Sequence, residues 1–470
     1  MVHIGDHRTV WRSATRTGAS RQEILKRRAF THPEMNDLLE KAEKALQRDL
    51  CDHCLGRIFA HVDTGLSNEE RGKSLRMALD FQRSLDEEEP LLLHQKCFVC
   101  EELFDMVPRF AEAVEEKLSS VEYHNFLVGT RVDPLVTERE ERVWSDVGQE
   151  KAETIKAELN QEIGKLVEKR TGKKVEFASP EVVALVDTRF SHVDLDVAPL
   201  FIYGRYKKLS REIPQTRWPC NMCRGKGCQK CDGTGKMYQT SVQEIVGAPL
   251  LRAAQGEDHF FHGMGREDID ARMLGNGRPF VLEVRHPKKR DLDLSALLKE
   301  INDNSPDMVE VVGPLRCSTR EEVRQIKAAS PEKVYRVYVQ LKDKVNKRTL
   351  NEVLLSLKRI RITQQTPTRV AHRRADLARE REIVDLVVEE FDDEDLVLRL
   401  RTESGTYVKE FVHGDQGRTR PSLSELLGVA CEVKALDVLE VADQARDQHG
   451  KIVTRPEEEV EADTQQAPKR

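Results

Sequence analysis

The stretch Gly263-Met-Gly-Arg-Glu-Asp-Ile-Asp-Ala-Arg-Met-Leu-Gly275 sets two carboxylates, Asp268 and Asp270, in a turn bounded by glycines, with Arg266 just ahead of them. An aspartate in such a turn commonly does no more than accept hydrogen bonds from backbone amides. Two further stretches argue for chemistry. Gly405-Thr-Tyr-Val-Lys-Glu-Phe-Val-His-Gly-Asp415 supplies Tyr407 and Lys409, and Gln364-Gln-Thr-Pro-Thr-Arg-Val-Ala-His-Arg-Arg374 supplies Arg369, His372, Arg373 and Arg374 after a proline-stiffened turn. Cations spaced this way suit phosphates. The plainer reading of the second group is the charged start of a helix.

Around these motifs the pattern is α+β. Ser241-Val-Gln-Glu244 has the form of a capping box, in which a serine and a glutamate three residues on satisfy each other's backbone amides. Apolar alternation predicts strands at 280–284, 308–312, 334–341, 383–389 and 396–401, and helices at 319–328, capped by Thr319, and 350–357. Residues 241–444 therefore form one domain. Upstream, 121–215 reads as a compact α/β unit. It has a buried strand at 126–132, a helix with Ile155, Leu159, Ile163 and Leu166 on one face ending at Thr171-Gly172, and strands at 173–177, 182–190 and 193–204. The basic run Gly204-Arg-Tyr-Lys-Lys-Leu-Ser-Arg211 leaves that unit, either solvated or facing a phosphate backbone.

Residues 31–120 read as helical, with Leu38, Leu39, Ala42, Ala45 and Leu46 on one face and a second helix at 68–85. The ends differ in texture. Residues 1–30 hold seven Lys or Arg against two acids, a disordered basic arm or an RNA-contacting one, and 445–470 form an acidic tail expected to be disordered.

The 470 residues exceed one ordinary domain. A net charge of −6 does not exclude a polyanionic partner, because 76 Lys and Arg can be segregated onto one face. The longest apolar runs fall far short of the ~20 residues of a membrane span, and the N-terminus shows no signal-peptide core. An intracellular, cytoplasmic protein is expected.

Eight of the ten cysteines fall in CxxC pairs: Cys51/Cys54, Cys97/Cys100, Cys220/Cys223 and Cys228/Cys231. In a reducing compartment four such pairs point to metal rather than to disulfides, with a redox CxxC as the alternative. The set at 220–231, in a knuckle spanning 216–240, is local and rich in glycine, as a tight four-thiolate zinc site requires; the other set spans more than forty residues. Four thiolates fill the tetrahedron, so zinc here is expected to hold structure. Cys317 and Cys431 stand alone and suit core packing.

The Gly265-Arg-Glu-Asp268 turn resembles the aspartate loop of tRNA pseudouridine synthases, and the Gly405–Lys409 stretch resembles the basic element that faces it. All the motifs in this order, over about residues 50–440, resemble the archaeal and eukaryotic pseudouridine synthase family ten, which in archaea modifies T-arm uridines 54 and 55 of tRNA. The resemblance implies a pseudouridine-synthase fold with a mixed or antiparallel central sheet, preceded by a THUMP-like RNA-binding domain and a zinc-bound helical segment. It implies Asp268 as the reacting carboxylate, Arg266 beside it, Lys409 as its basic partner, and Tyr335 of Lys333-Val-Tyr335 stacking on the uracil. Asp270 is the rival by its distance from Gly275. Tyr407, Arg369, His372, Arg373 and Arg374 would contact RNA. No organic cofactor is needed, the partner is the tRNA T-arm, and a monomer suffices.

Other readings remain. A zinc-stabilised, non-catalytic tRNA-binding or chaperone protein would share the metal sites and the cations. Other THUMP-bearing enzymes are disfavoured, since the chain lacks an Asn/Asp-Pro-Pro-Tyr methyltransferase motif and a Ser-Gly-Gly-x-Asp-Ser pyrophosphate loop.

Overall fold

The structure, a computed structural model, describes residues 32–62, 65–89, 96–357, 359–371, 375–392 and 394–442. The basic arm and acidic tail expected at the two ends lie outside them, as do His372, Arg373 and Arg374. The chain divides into two units: Met1–Ser120 with His124–Asp196, and Val121–Tyr123 with Val197–Arg470.

The first unit runs α1 (His32–Leu46), α2 (Asp52–Ile58), α3 (Asn68–Leu85), α4 (Val107–Leu118), β1 (Asn125–Arg131), α5 (Pro134–Val147), α6 (Ile155–Thr171), β2 (Lys174–Val175), β3 (Val182–Asp187) and β4 (His192–Val197). Ser67 and Glu70 close a capping box at the start of α3, which fixes where that helix begins. Helices α2 and α3 meet at Gly56 and Gly72, where an added Cβ would lie 1.7 Å from the Asn68 carbonyl oxygen and 1.9 Å from that of Asp52. In α6 the buried face is Ile155, Leu159, Ile163 and Val167, so Val167 takes the place expected of Leu166. The sheet is ordered β2-β1-β3-β4, with β1 parallel to both neighbours.

The helical segment and this sheet form one unit rather than the two expected at 31–120 and 121–215, because buried charges tie them. Arg57 Nε donates to Glu140 at 3.0 Å, Glu140 also accepts from the Ile155 amide at 2.8 Å, and His53 Nδ1 lies 2.7 Å from Glu158.

The second unit contains β5 (Leu200–Lys208), α7 (Val242–Ala254), β6 (Asp258–Gly263), β7 (Ala271–Arg285), α8 (Leu294–Asn304), β8 (Val309–Ser318), α9 (Arg320–Ala328) and β9 (Lys333–Leu341). It continues through α10 (Lys347–Ser356), β10 (Ile360–Gln365), β11 (Ala378–Phe391), β12 (Asp395–Thr402), α11 (Val408–His413), β13 (Thr419–Arg420), α12 (Leu423–Leu427) and β14 (Cys431–Val441). The sheet order is β13-β10-β11-β12-β9-β14-β7-β5-β8, with β6 also on β7. Its pairings are antiparallel except where β14 meets β7 in parallel over Leu436–Val438, which makes the sheet mixed.

The strand expected at 193–204 is in fact two strands in two sheets. Ala198-Pro199 divides them: proline has no amide hydrogen to continue a ladder, and β5 begins after it, paired to β7 and β8. The boundary expected at 215 therefore moves to 197. Two apolar cores lie against this long sheet, one under β5, β7, β8, α7 and α8, the other under β9 to β12 with α11 and α12. Tyr335 packs against both.

Candidate active site

Residues 264–270 connect β6 to β7, and they are held from beneath by buried polar side chains. Arg278 donates through Nη1 to the Met264 carbonyl at 2.8 Å and through Nε to Glu267 at 2.9 Å. Tyr206 Oη donates to the same Glu267 carboxylate at 2.9 Å, while Gln215 Nε2 donates to Tyr206 Oη at 2.7 Å and to the Gly265 carbonyl at 3.0 Å. Lys208 is fully buried, and its Nζ donates to the carbonyls of Ile213 (3.1 Å), Asp268 (3.1 Å) and Ile269 (2.7 Å). Burial pulls the Lys208 pKa down to about 8 against the opposing pull of Glu267, Asp270 and Asp268. Gly265 takes φ +78°, a left-handed turn that suits glycine. With its backbone fixed from below, the loop turns the Asp268 carboxylate outward.

Facing it are side chains from the other half of the sheet. Arg369, on the 3₁₀ turn Thr368–Val370, lies 3.1 Å from the Asp268 carboxylate and donates to Glu410 at 2.7 Å. Burial disfavours the charge on Arg369, but Glu410 and Asp268 outweigh it and raise its pKa. Lys409, on the first turn of α11, lies 3.5 Å from Asp268 and 2.7 Å from Asp270. Burial works against ionisation of Asp270, yet its hydrogen bonds to Lys409 prevail and hold its carboxyl below the usual carboxylate range. Tyr335, on β9 between Leu400 and Val438, lies within the electrostatic reach of Arg278, Asp268 and Glu267; burial pushes its phenol up to about 12.

Tyr407 precedes α11, and its backbone amide and carbonyl are both gripped by the Gln364 side chain, at 2.9 and 3.0 Å. Asp415 accepts from the Thr368 amide at 2.9 Å, and Arg418 donates to the Thr366 carbonyl at 2.8 Å. The proline-stiffened turn and the Gly405–Asp415 stretch are thereby joined. Arg266 points elsewhere: its guanidinium carbon lies 5.2 Å from the centre of the Trp218 ring.

The structure thus gathers Asp268, Asp270, Arg369 and Lys409, with Tyr335 beside them. Sequence reasoning missed the supports Tyr206, Lys208, Gln215, Glu267, Arg278 and Glu410. The run from Gly204 to Arg211 carried a signal, but one that suggested phosphates. In the fold, Tyr206 and Lys208 are buried beneath the loop, Arg205 donates to the Asn276 and Gly277 carbonyls, Lys207 pairs with Glu310, and Arg211 pairs with Asp437.

Two four-cysteine groups are present. In each of Cys51/Cys54/Cys97/Cys100 and Cys220/Cys223/Cys228/Cys231 the four sulfurs lie within 4.8 Å of one another. A tetrahedral ion bound at ~2.3 Å needs sulfurs ~3.8 Å apart. Cys51–Cys100 at 3.6 Å and both Cys220–Cys228 and Cys223–Cys231 at 3.8 Å meet that requirement. Donors that would offset thiolate charge surround them: Arg57 Nη1 lies 2.8 Å from Cys54 Sγ, and the Cys228 and Gly235 amides each lie 3.2 Å from Cys231 Sγ. Both groups fit a metal ion.

Comparison with known proteins bears on both units. A family model described as Pus10, C-terminal matches residues 201–442, and one described as Pus10 THUMP domain, archaeal matches 110–187. Proteins named tRNA pseudouridine synthase Pus10 are similar over most of the chain. That of Methanothrix thermoacetophila is 42% identical over 432 residues, covering 86% of this chain and 95% of the relative. That of Methanopyrus kandleri is 41% identical over 436 residues, covering 87% and 100%. Solved structures are more distant: a Cbf5-Nop10-Gar1 complex gives 16% identity over 50% of this chain and 48% of that one, with a TM-score of 0.29, too low to bear on the fold.

Proposed function

This chain belongs to the Pus10 family of tRNA pseudouridine synthases, and from that membership we propose that it isomerises T-loop uridine 54, uridine 55 or both, with Asp268 as the reacting carboxylate. The isomerisation breaks the glycosidic C–N bond, turns the base and rejoins it through carbon. It needs an ionised, aimed carboxylate and an aromatic surface for the displaced base.

The observation that carries the reading is the position of Asp268. Arg369 at 3.1 Å and Lys409 at 3.5 Å lie on it, and Lys208 holds its backbone from below. Both cations lie within salt-bridge range of the Asp268 carboxylate and aim it. Tyr335 supplies the aromatic ring; its raised pKa keeps the phenol protonated at neutral pH, so it stacks as a neutral group able to donate. Arg369 and Lys409 hold Asp268. Arg266 and Tyr407, together with His372, Arg373 and Arg374, act on the incoming RNA, and the THUMP domain adds contacts of its own. Both four-cysteine groups hold zinc, which supplies folding free energy and no chemistry, since four thiolates leave no open coordination position. The enzyme works as a monomer on tRNA in the cytoplasm.

Incubating a T-arm transcript with the protein and mapping pseudouridine tests the activity and its position together. Asp268→Asn should abolish product while leaving RNA affinity within a few-fold of wild type. An inactive Asp270→Asn beside an active Asp268→Asn would move the role to Asp270.

A further inference from the structure

The knuckle of residues 217–238 is not used by the chemistry proposed above, yet it touches the loop that carries Asp268. Its two ends run together: Cys220 N donates to the Gly235 carbonyl at 2.7 Å, Met237 N donates to the Trp218 carbonyl at 2.9 Å, and Pro219 bridges to Lys236. The hairpin is tight. A Cβ on Gly235 would meet the Gly225 carbonyl oxygen at 2.4 Å, and one on Gly227 would meet that of Gly233 at 2.7 Å. At its base the Trp218 and Tyr238 rings stand edge to face with centroids 5.6 Å apart. Trp218 is two residues from Cys220, and its backbone is held by the same hairpin that carries the four sulfurs.

The face of that indole holds the Arg266 guanidinium, 5.2 Å from the ring centre, two residues before Asp268. The neighbours of Arg266 are pinned from the interior, Gly265 by Gln215 and Glu267 by Tyr206 and Arg278. Arg266 itself is exposed, and the Trp218 ring lies against it from the knuckle. A guanidinium held at an aromatic face by a cation–π contact can donate N–H groups to a phosphate or a base carbonyl.

We propose that Trp218 is a positioning residue that couples the Cys220–Cys231 knuckle to the catalytic loop by fixing Arg266 for the RNA. The proposal rests on the reading of Asp268 as the reacting carboxylate. It gives the second cysteine set a part in turnover as well as in folding.

The full-length protein tests it through three measurements on each variant: metal content, RNA affinity and single-turnover rate at saturating transcript. Trp218→Ala should keep its metal and bind RNA within about twofold, while its rate falls roughly fivefold, the change corresponding to about 1 kcal/mol for a cation–π contact. Trp218→Phe should restore most of that rate. In the Arg266→Ala background Trp218→Ala should cost nothing further. A wild-type rate in Trp218→Ala, or an additive loss in the double variant, overturns the proposal. Should Trp218→Ala lose its metal, the test passes to Trp218 fluorescence in a Trp11→Phe/Trp144→Phe protein, which must change when Arg266→Ala is added; no change overturns it. A wild-type protein that makes no pseudouridine would instead refute the underlying reading and leave the fluorescence arm to judge the contact.

Discussion

Lys208 and Arg369 are the side chains on which the geometry around Asp268 depends most directly, and each leads to a measurable outcome. Buried Lys208 has a pKa of about 8, whereas a lysine in the unfolded chain titrates at ~10.4. Between those values the folded protein has released a proton that the unfolded chain keeps. Stability contributed by this group therefore rises with pH across that window, and the full cost of burying the charge is present below it. The Tm of wild type relative to Lys208→Met should climb from pH 8 to pH 10, and a constant difference would contradict the shift. The neutral amine has one donor fewer for the Ile213, Asp268 and Ile269 carbonyls, so the single-turnover rate should decline over the same range. Arg369→Ala strands the buried Glu410 carboxylate and should cost roughly 1–3 kcal/mol of stability as well as turnover. Lys409→Ala, whose closest partner Asp270 is exposed, should cut turnover with a smaller change in Tm. Equal Tm losses in the two variants would speak against this division. The motif resemblance placed Lys409 opposite Asp268, but neither the Arg369–Asp268 pair nor the Lys409–Asp270 pair was visible in the motifs, because those partners lie 101 and 139 residues apart.

Strand β7 shows how far a motif reveals the backbone around it. Its apolar stretch at 280–284 was legible from composition, whereas the extension back to Ala271 depends on pairing with β14, at which Gly275 turns with φ +57°. A Cβ there would lie 1.7 Å from the Leu439 carbonyl oxygen. Gly275→Ala should push β14 off β7 and lower both Tm and turnover, by more than the ~0.4–1 kcal/mol that glycine-to-alanine changes contribute where alanine fits. An unchanged Tm would mean that the strands part without cost. The knuckle was legible because its four cysteines lie close in sequence. Replacing Cys228 and Cys231 together should lower the metal count by one, and a full count would reject that site.

The chain as a whole has 82 acidic and 76 basic Lys and Arg residues, so its RNA affinity depends on where the cations face. Arg373→Ala with Arg374→Ala should weaken RNA binding and flatten the slope of log K against log salt by roughly one to two units, as fewer counterions are released. Lys409→Ala should leave that slope unchanged, since its partners are carboxylates. An unaltered slope for the arginine pair would sink their phosphate role.

Sequence alone determined what is encoded by neighbours a few residues apart: the glycine-bounded aspartate turn, the CxxC pairs, the caps at Ser241 and Thr319, and most helices and strands of the second unit. Only the tertiary structure decided that Tyr206 and Lys208 lie under the loop instead of facing RNA, that β5 belongs to the second sheet, and that Arg369 shares Asp268 with Lys409. The reason is physical. A charged side chain becomes a support only when partners are brought to it to offset its desolvation, and the distant ones among those partners come from chain 41 to 139 residues away, a separation over which no local pattern carries information.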